Sequence, residues 1–140
     1  MISRVYQWLY LGDCGSGCDN EILKYLSIRT TVNVHREHSC TNETEVNRVQ
    51  IPLVEAPGNK WRSIVRILDV LDDRRIQGSV LVHCCGGISR SPFVVLCFMV
   101  VRKKVSFQRA LERLSQLHPI TRIDPHLIAM LQRNEAEVKI

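Results

Sequence analysis

The chain has 140 residues and a formal net charge of +5, a length that suits one domain, spanning residues 1–140, able to bury about two thirds of its unfolded surface. Its hydrophobic fraction of 45% is ordinary for a globular protein, and its longest apolar run, Pro92 to Val101, is about half of the ~20 residues needed to cross a bilayer, so no membrane span is expected. The positive balance suits an anionic ligand without identifying it.

Met1-Ile2-Ser3-Arg4 contains neither an apolar leader core nor a myristoylation glycine, and the chain does not end on a prenylation cysteine, which predicts a cytoplasmic protein with nuclear access left open. A first strand is expected over 6–11, a helix over 20–25 and a second strand over 30–34. A third strand is expected over 49–53, and the turn residues Pro57-Gly58 then lead into a helix over 60–75, whose Trp61, Ile64, Val65, Leu68 and Leu71 recur at helical spacing. Its other face carries Arg62, Arg66, Asp69 and Asp73, with Asp69 spaced to pair with Arg66. Residues 79–83 read as a buried strand and 92–101 as a buried helix ending in the basic run Arg102-Lys103-Lys104, which complements the helix dipole. Ser106 caps a further helix, and Asp124-Pro125 opens the last one with a capping carboxylate and a first-turn proline. Strands alternating with helices predict an α/β fold: a mostly parallel central sheet of four to five strands, helices on both faces, and the ligand at the carboxyl ends of the strands.

The chemistry concentrates in His83-Cys84-Cys85-Gly86-Gly87-Ile88-Ser89-Arg90-Ser91, a loop between a strand and a helix. The first amides of a helix have no internal partner, so such a loop presents N–H groups, reinforced by the helix dipole, to an anion. Gly86 and Gly87 permit the backbone angles that let the amides of Cys85, Gly86, Gly87, Ile88 and Ser89 gather around one oxyanion. Arg90 adds a planar, permanently charged guanidinium matched to two phosphate oxygens. The field that favours phosphate also favours thiolate over thiol at Cys84, making it a nucleophile beneath its target. Attack on phosphorus gives a cysteinyl-phosphate, and the Ser91 hydroxyl at the helix start is placed to donate to the departing sulfur. His83 is expected to tune this site from behind the loop, with simple burial in the core as the competing reading.

The pattern His-Cys-x5-Arg-Ser resembles the signature of the cysteine-dependent protein phosphatases, and more narrowly of their dual-specificity branch. Trp8-Leu9-Tyr10-Leu11-Gly12 is similar to that family's opening strand, Val49-Gln50-Ile51-Pro52-Leu53 to the strand before its general-acid loop, and Ile123-Asp124-Pro125-His126 to the start of its closing helix, with His126 where many members carry Asn. The resemblance implies hydrolysis of phosphotyrosine, and of phosphoserine or phosphothreonine, in a protein substrate, since at this length the chain lacks the insertions that deepen the pocket of tyrosine-only relatives. It also implies an acid/base carboxyl group just past the Ile-Pro strand, which here falls on Glu55, with Asp69, Asp72 and Asp73 as rivals. Relatives of the same fold dephosphorylate inositol lipids or the 5′ end of RNA. The loop has no lysine, which weakens the lipid reading, and nucleic acid stands second to protein. A phosphate-binding module without turnover is a third reading. No metal or other cofactor is needed for the chemistry. The irregular spacing of Cys14, Cys18, Cys40, Cys84, Cys85 and Cys97 predicts reduced thiols rather than a disulfide framework or a zinc ligand set.

Overall fold

The computed structural model of the protein describes residues 1–36, 46–54 and 57–138, with side chains described through residue 135. Glu55 and Cys40 lie outside the described residues. Five strands, β1 (Ile2–Tyr6), β2 (Leu9–Gly12), β3 (Ile28–Asn33), β4 (Asn47–Gln50) and β5 (Ser79–His83), form one sheet in the order β1-β2-β5-β3-β4. The β2–β5, β5–β3 and β3–β4 pairs are parallel and β1–β2 is antiparallel. The sheet is therefore mostly parallel, as expected, with one antiparallel edge.

Period-two alternation sorts the central strands between two layers. Leu9 and Leu11 of β2, Val32 of β3, and Val80 and Val82 of β5 face the larger core, while Tyr10, Ile28 and Leu81 face a smaller one. The larger face is covered by α3 (Trp61–Arg74), α4 (Arg90–Cys97), α5 (Phe107–Leu117) and α6 (Pro125–Val138); the smaller core is closed by Leu23 of α2 (Asn20–Tyr25). A short helix, α1 (Cys14–Gly17), follows β2. Residues 91–100, from the start of α4 into the π-helical turn Phe98–Arg102 that continues it, are all buried, as a helix apolar on every side must be.

Several boundaries differ from the sequence reading for identifiable reasons. The single strand expected over 6–11 is two, because the chain reverses at Gln7-Trp8 and pairs Tyr6 with Leu9. The strand expected over 49–53 stops at Gln50. Ile51 and Leu53 still donate to the carbonyls of Asn33 and Val34, but Pro52 has no amide to continue the ladder. The helix expected to begin at Pro92 begins at Arg90. Asp69 pairs with Arg102 at 2.8 Å rather than with Arg66, and Asp72 also bonds Arg102, so this arginine closes the bundle laterally as well as ending its helix. Cys14, Cys84, Cys85 and Cys97 are free thiols as expected, but Cys18 is disulfide-bonded, against the expectation of reduced cysteines. The caps fall where the sequence places them: Arg109 N–H donates to Ser106 Oγ at 3.4 Å, and His126 N–H to Asp124 Oδ1 at 2.8 Å. Among the described residues no helix is long and apolar enough to cross a membrane.

Candidate active site

The loop from Cys84 to Ser89 leaves the carboxyl end of β5 and enters α4. Its carbonyls are held from outside. Cys85 O accepts from the N–H and the Sγ of Cys14, at 3.2 and 3.0 Å. Gly87 O accepts from His118 Nε2 at 2.7 Å, and Ile88 O from Arg122 N–H at 2.8 Å. Because each peptide unit is planar and trans, a carbonyl turned outward turns the following amide inward. The N–H groups of Gly86, Ile88 and Ser89 are thereby directed into the loop, and no protein acceptor takes them among the described residues. Gly87 has φ +68, and a Cβ there would lie 3.0 Å from Gly12 O, so its lack of a side chain permits both the turn and the approach of β2. Burial first, and the neighbouring Cys85 thiol next, push Cys14 up to about 11, which keeps its proton available for the Cys85 carbonyl.

Cys84 lies at the floor of the loop, 2% exposed. Its Sγ is 3.2 Å from Ser91 Oγ, whose hydroxyl is also 3.2 Å from Gly12 O. One hydroxyl proton thus has two acceptors. With a thiol, Cys84 donates to Ser91 and Ser91 to Gly12; with a thiolate, the Ser91 proton turns to sulfur. Arg90, at the first position of α4, reaches Leu53 O at 3.4 Å, which ties the loop to the segment after β4. Ser89 Oγ accepts from Asp124 N–H at 2.9 Å, so its side chain braces α6 rather than facing the loop interior. Ile88 is half exposed at the rim, Cys85 is exposed, and His83 is buried with its ring against Gly17 of α1, where an added Cβ would come within 2.6 Å. Cys84, Arg90 and Ile88 share a cleft of about 450 Å³ with Arg122, Ile123 and Pro125.

Two of the rival carboxyl groups are remote from this cleft. Asp69 and Asp72 bond Arg102, twelve residues and roughly 18 Å of helix beyond Arg90. His118 is among the site residues that sequence reasoning missed: it precedes Pro119 outside any motif, and only the tertiary fold brings it to the loop. Since a carbonyl only accepts, Nε2 carries the proton toward Gly87, and Nδ1 accepts from Ser3 Oγ at 2.7 Å. Burial, opposed by the bond to Gly87, holds His118 below its ordinary value. A base depressed by folding takes up its proton first in the unfolded chain, so its contribution to stability is complete above the unfolded value of about 6.5 and is lost as pH falls through the folded one. His118→Gln is expected to flatten the fall in melting temperature between pH 7.5 and pH 5; equal slopes for variant and wild type would contradict this.

Sheet order, strand-loop-helix site and buried sulfur together describe a phosphatase-type fold. A family model described as dual specificity phosphatase, catalytic domain, matches residues 9–137. The chain belongs to that family, whose enzymes are protein phosphatases, that is, phosphoric monoester hydrolases. It is 28% identical over 144 residues to human dual specificity protein phosphatase 4, covering 98% of this chain and 35% of that protein, and 25% identical over 139 residues to rat dual specificity protein phosphatase 5, covering 96% and 36%. The chain therefore spans about a third of the length of these relatives. Crystal structures of human DUSP28 (TM-score 0.90, 21% identity, 99% and 95% covered) and of a mouse putative dual specificity phosphatase complexed with zinc tungstate (TM-score 0.90, 24% identity, 99% and 88% covered) share the fold.

Proposed function

We propose that the protein is a phosphoprotein phosphatase that hydrolyses phosphotyrosine, with phosphoserine and phosphothreonine as further substrates, through a cysteinyl-phosphate on Cys84. The observation that carries this reading is the set of outward-held carbonyls at Cys85, Gly87 and Ile88, which turns amides toward the space above a buried sulfur. A tetrahedral oxyanion matches that ring in charge and in hydrogen-bonding capacity.

In the first step the Cys84 thiolate attacks phosphorus, the bond to the leaving oxygen breaks, and Glu55 supplies the proton that the departing oxygen takes up. Arg90 and the loop amides bind the three equatorial oxygens, where charge is spread in the transition state. In the second step Glu55 removes a proton from water, the water oxygen attacks phosphorus, and sulfur leaves. The Ser91 hydroxyl donates to sulfur as it regains its negative charge, which its position 3.2 Å from Sγ allows. Inorganic phosphate is the second product. His83 supports the loop from behind, through the ring contact with α1.

Phosphate release from phosphotyrosyl, phosphoseryl and phosphothreonyl peptides, an inositol phosphate and a triphosphorylated RNA end tests the substrate class. The peptides are expected to lead; a rate on RNA or inositol phosphate above that on every peptide overturns the protein reading. Glu55→Gln is expected to slow substrates with poor leaving groups about 100-fold or more and to spare good ones, as loss of a general acid does. A uniform effect, or none, would reassign the acid.

A further inference from the structure

The exposed face of α5 bounds a second hollow, of about 760 Å³, apart from the phosphate cleft. Lys104, Ser106, Arg109, Glu112, Arg113 and Gln116 bound it. Arg109, Glu112, Arg113 and Gln116 follow at intervals of three and four, one face of the helix, while Ala110 and Leu114 are buried on the other. Lys104 joins this wall from the turn that precedes α5, where its φ of +58 places a lysine in the left-handed region, a conformation costing about 1 kcal/mol. Arg113 is held with its guanidinium 5.5 Å from the centre of the Tyr6 ring.

Three cations meet one carboxylate here. Glu112 accepts from Gln108 Nε2 at 3.1 Å, and the ion pairs among the described residues are made by Met1, Arg74 and Arg102, not by Lys104, Arg109 or Arg113. Gathered like charges oppose folding; Arg113 lies over Tyr6 at the margin of the core, while among the described residues Lys104 and Arg109 have no such contact and none of the three reaches the phosphate loop. An anionic ligand accounts for them.

We propose that this hollow is a docking groove for an acidic peptide segment of the phosphoprotein substrate; the inference rests on the phosphatase reading above. Arg109 and Arg113 are separated by about 6 Å of helix rise, close to the ~6.6 Å between alternate residues of an extended chain, so aspartate or glutamate at every second position meets both. Ser106 and Gln116 offer neutral hydrogen-bonding groups to the peptide backbone. α5 runs from this groove to His118, which contacts the phosphate loop. The nine residues from Arg109 to His118 cover about 13.5 Å, or at least four residues of extended chain between the acidic cluster and the phosphorylated side chain. A nucleic acid strand fits less well, because its unbroken series of phosphates would set one against Glu112, where a peptide can place a neutral residue.

The test uses a fluorescein-labelled, unphosphorylated peptide with alternating acidic residues, read by anisotropy at low and high salt. Wild type is expected to bind it with strong salt dependence, and Arg109→Glu/Arg113→Glu at least roughly ten-fold more weakly. In parallel, kcat/KM for a phosphotyrosyl peptide with an acidic extension is expected to exceed that for a Gly/Ser extension in wild type only, with turnover of a small aryl phosphate equal in both proteins. Peptide binding indifferent to the charge reversal, or a groove that takes a single-stranded oligonucleotide and not the peptide, overturns the proposal. Absence of aryl phosphate turnover in wild type instead counts against the phosphatase reading, and the anisotropy result still decides the groove.

Discussion

Cys84→Ser is expected to lower turnover of an aryl phosphate by at least about 10⁴-fold, the scale seen when a nucleophile is removed from a site that otherwise stays intact. The substitution is nearly isosteric at a position 2% exposed, and a serine oxygen can keep the bond to Ser91. The loop should therefore still bind an oxyanion such as tungstate, as tightly as wild type or more so, since the proposed mechanism places a negative charge on the sulfur that serine does not carry. Arg90→Ala separates the two functions differently. It deletes a fork of charge-assisted hydrogen bonds, each worth about 1.5–3 kcal/mol, so tungstate affinity and kcat/KM should both fall by roughly 10²–10⁴-fold. Arg90→Lys keeps the charge without the fork and should lie between. Equilibrium binding by calorimetry and steady-state kinetics on the same three variants check this. Residual turnover above about a tenth of wild type in Cys84→Ser would place the nucleophile elsewhere, and undiminished tungstate binding by Arg90→Ala would leave the amides as the whole anion site.

The strand-loop-helix turn from Cys84 to Ser89 is legible in the sequence because its determinants are contiguous: an apolar strand, two glycines, Arg90 and a helix apolar on every side lie within some twenty residues. The parallel sheet follows from the same kind of local information, namely strands too far apart in sequence for hairpins. What the sequence does not disclose is whatever several segments build together. Ser3, Gly12, Cys14, His118 and Arg122 come from the first strands, α1 and the stretch before α6, and each meets the loop or its partners only after folding. None stands at a recognisable spacing from Cys84. The antiparallel edge is hidden for another reason: Tyr6 and Leu9 flank a two-residue turn that contains neither Gly nor Asn, so the usual hairpin signal is missing. Spacing within its own helix points Asp69 to Arg66, whereas Arg102, thirty-three residues on, is the partner it bonds.

Gly87→Ala is expected to destabilise the protein by about 2–4 kcal/mol and to reduce kcat by roughly 100-fold. Its φ of +68 costs a residue with a side chain about 1 kcal/mol. The added methyl would meet backbone rather than a yielding side chain: Gly12 O at 3.0 Å, Gly12 C at 3.1 Å and Asp13 N at 3.3 Å, a crowding worth a further ~1–3 kcal/mol. For a chain of this length the sum lowers the melting temperature by roughly 10 °C. The kinetic effect follows from what Gly12 does. Its carbonyl accepts the Ser91 hydroxyl, which bonds Cys84, so pushing β2 outward moves the partner of the sulfur, and displacement by about an ångström near reacting groups costs about 10²-fold. Gly86→Ala is the control for stability: a Cβ there meets only the Ile88 side chain, at 3.4 Å and beyond, so its melting temperature should stay within a few degrees of wild type. Matching melting temperatures and turnover for Gly87→Ala and wild type would mean that the loop tolerates a side chain at its tightest contact, and the coupling from Gly87 through Gly12 and Ser91 to Cys84 would then be wrong.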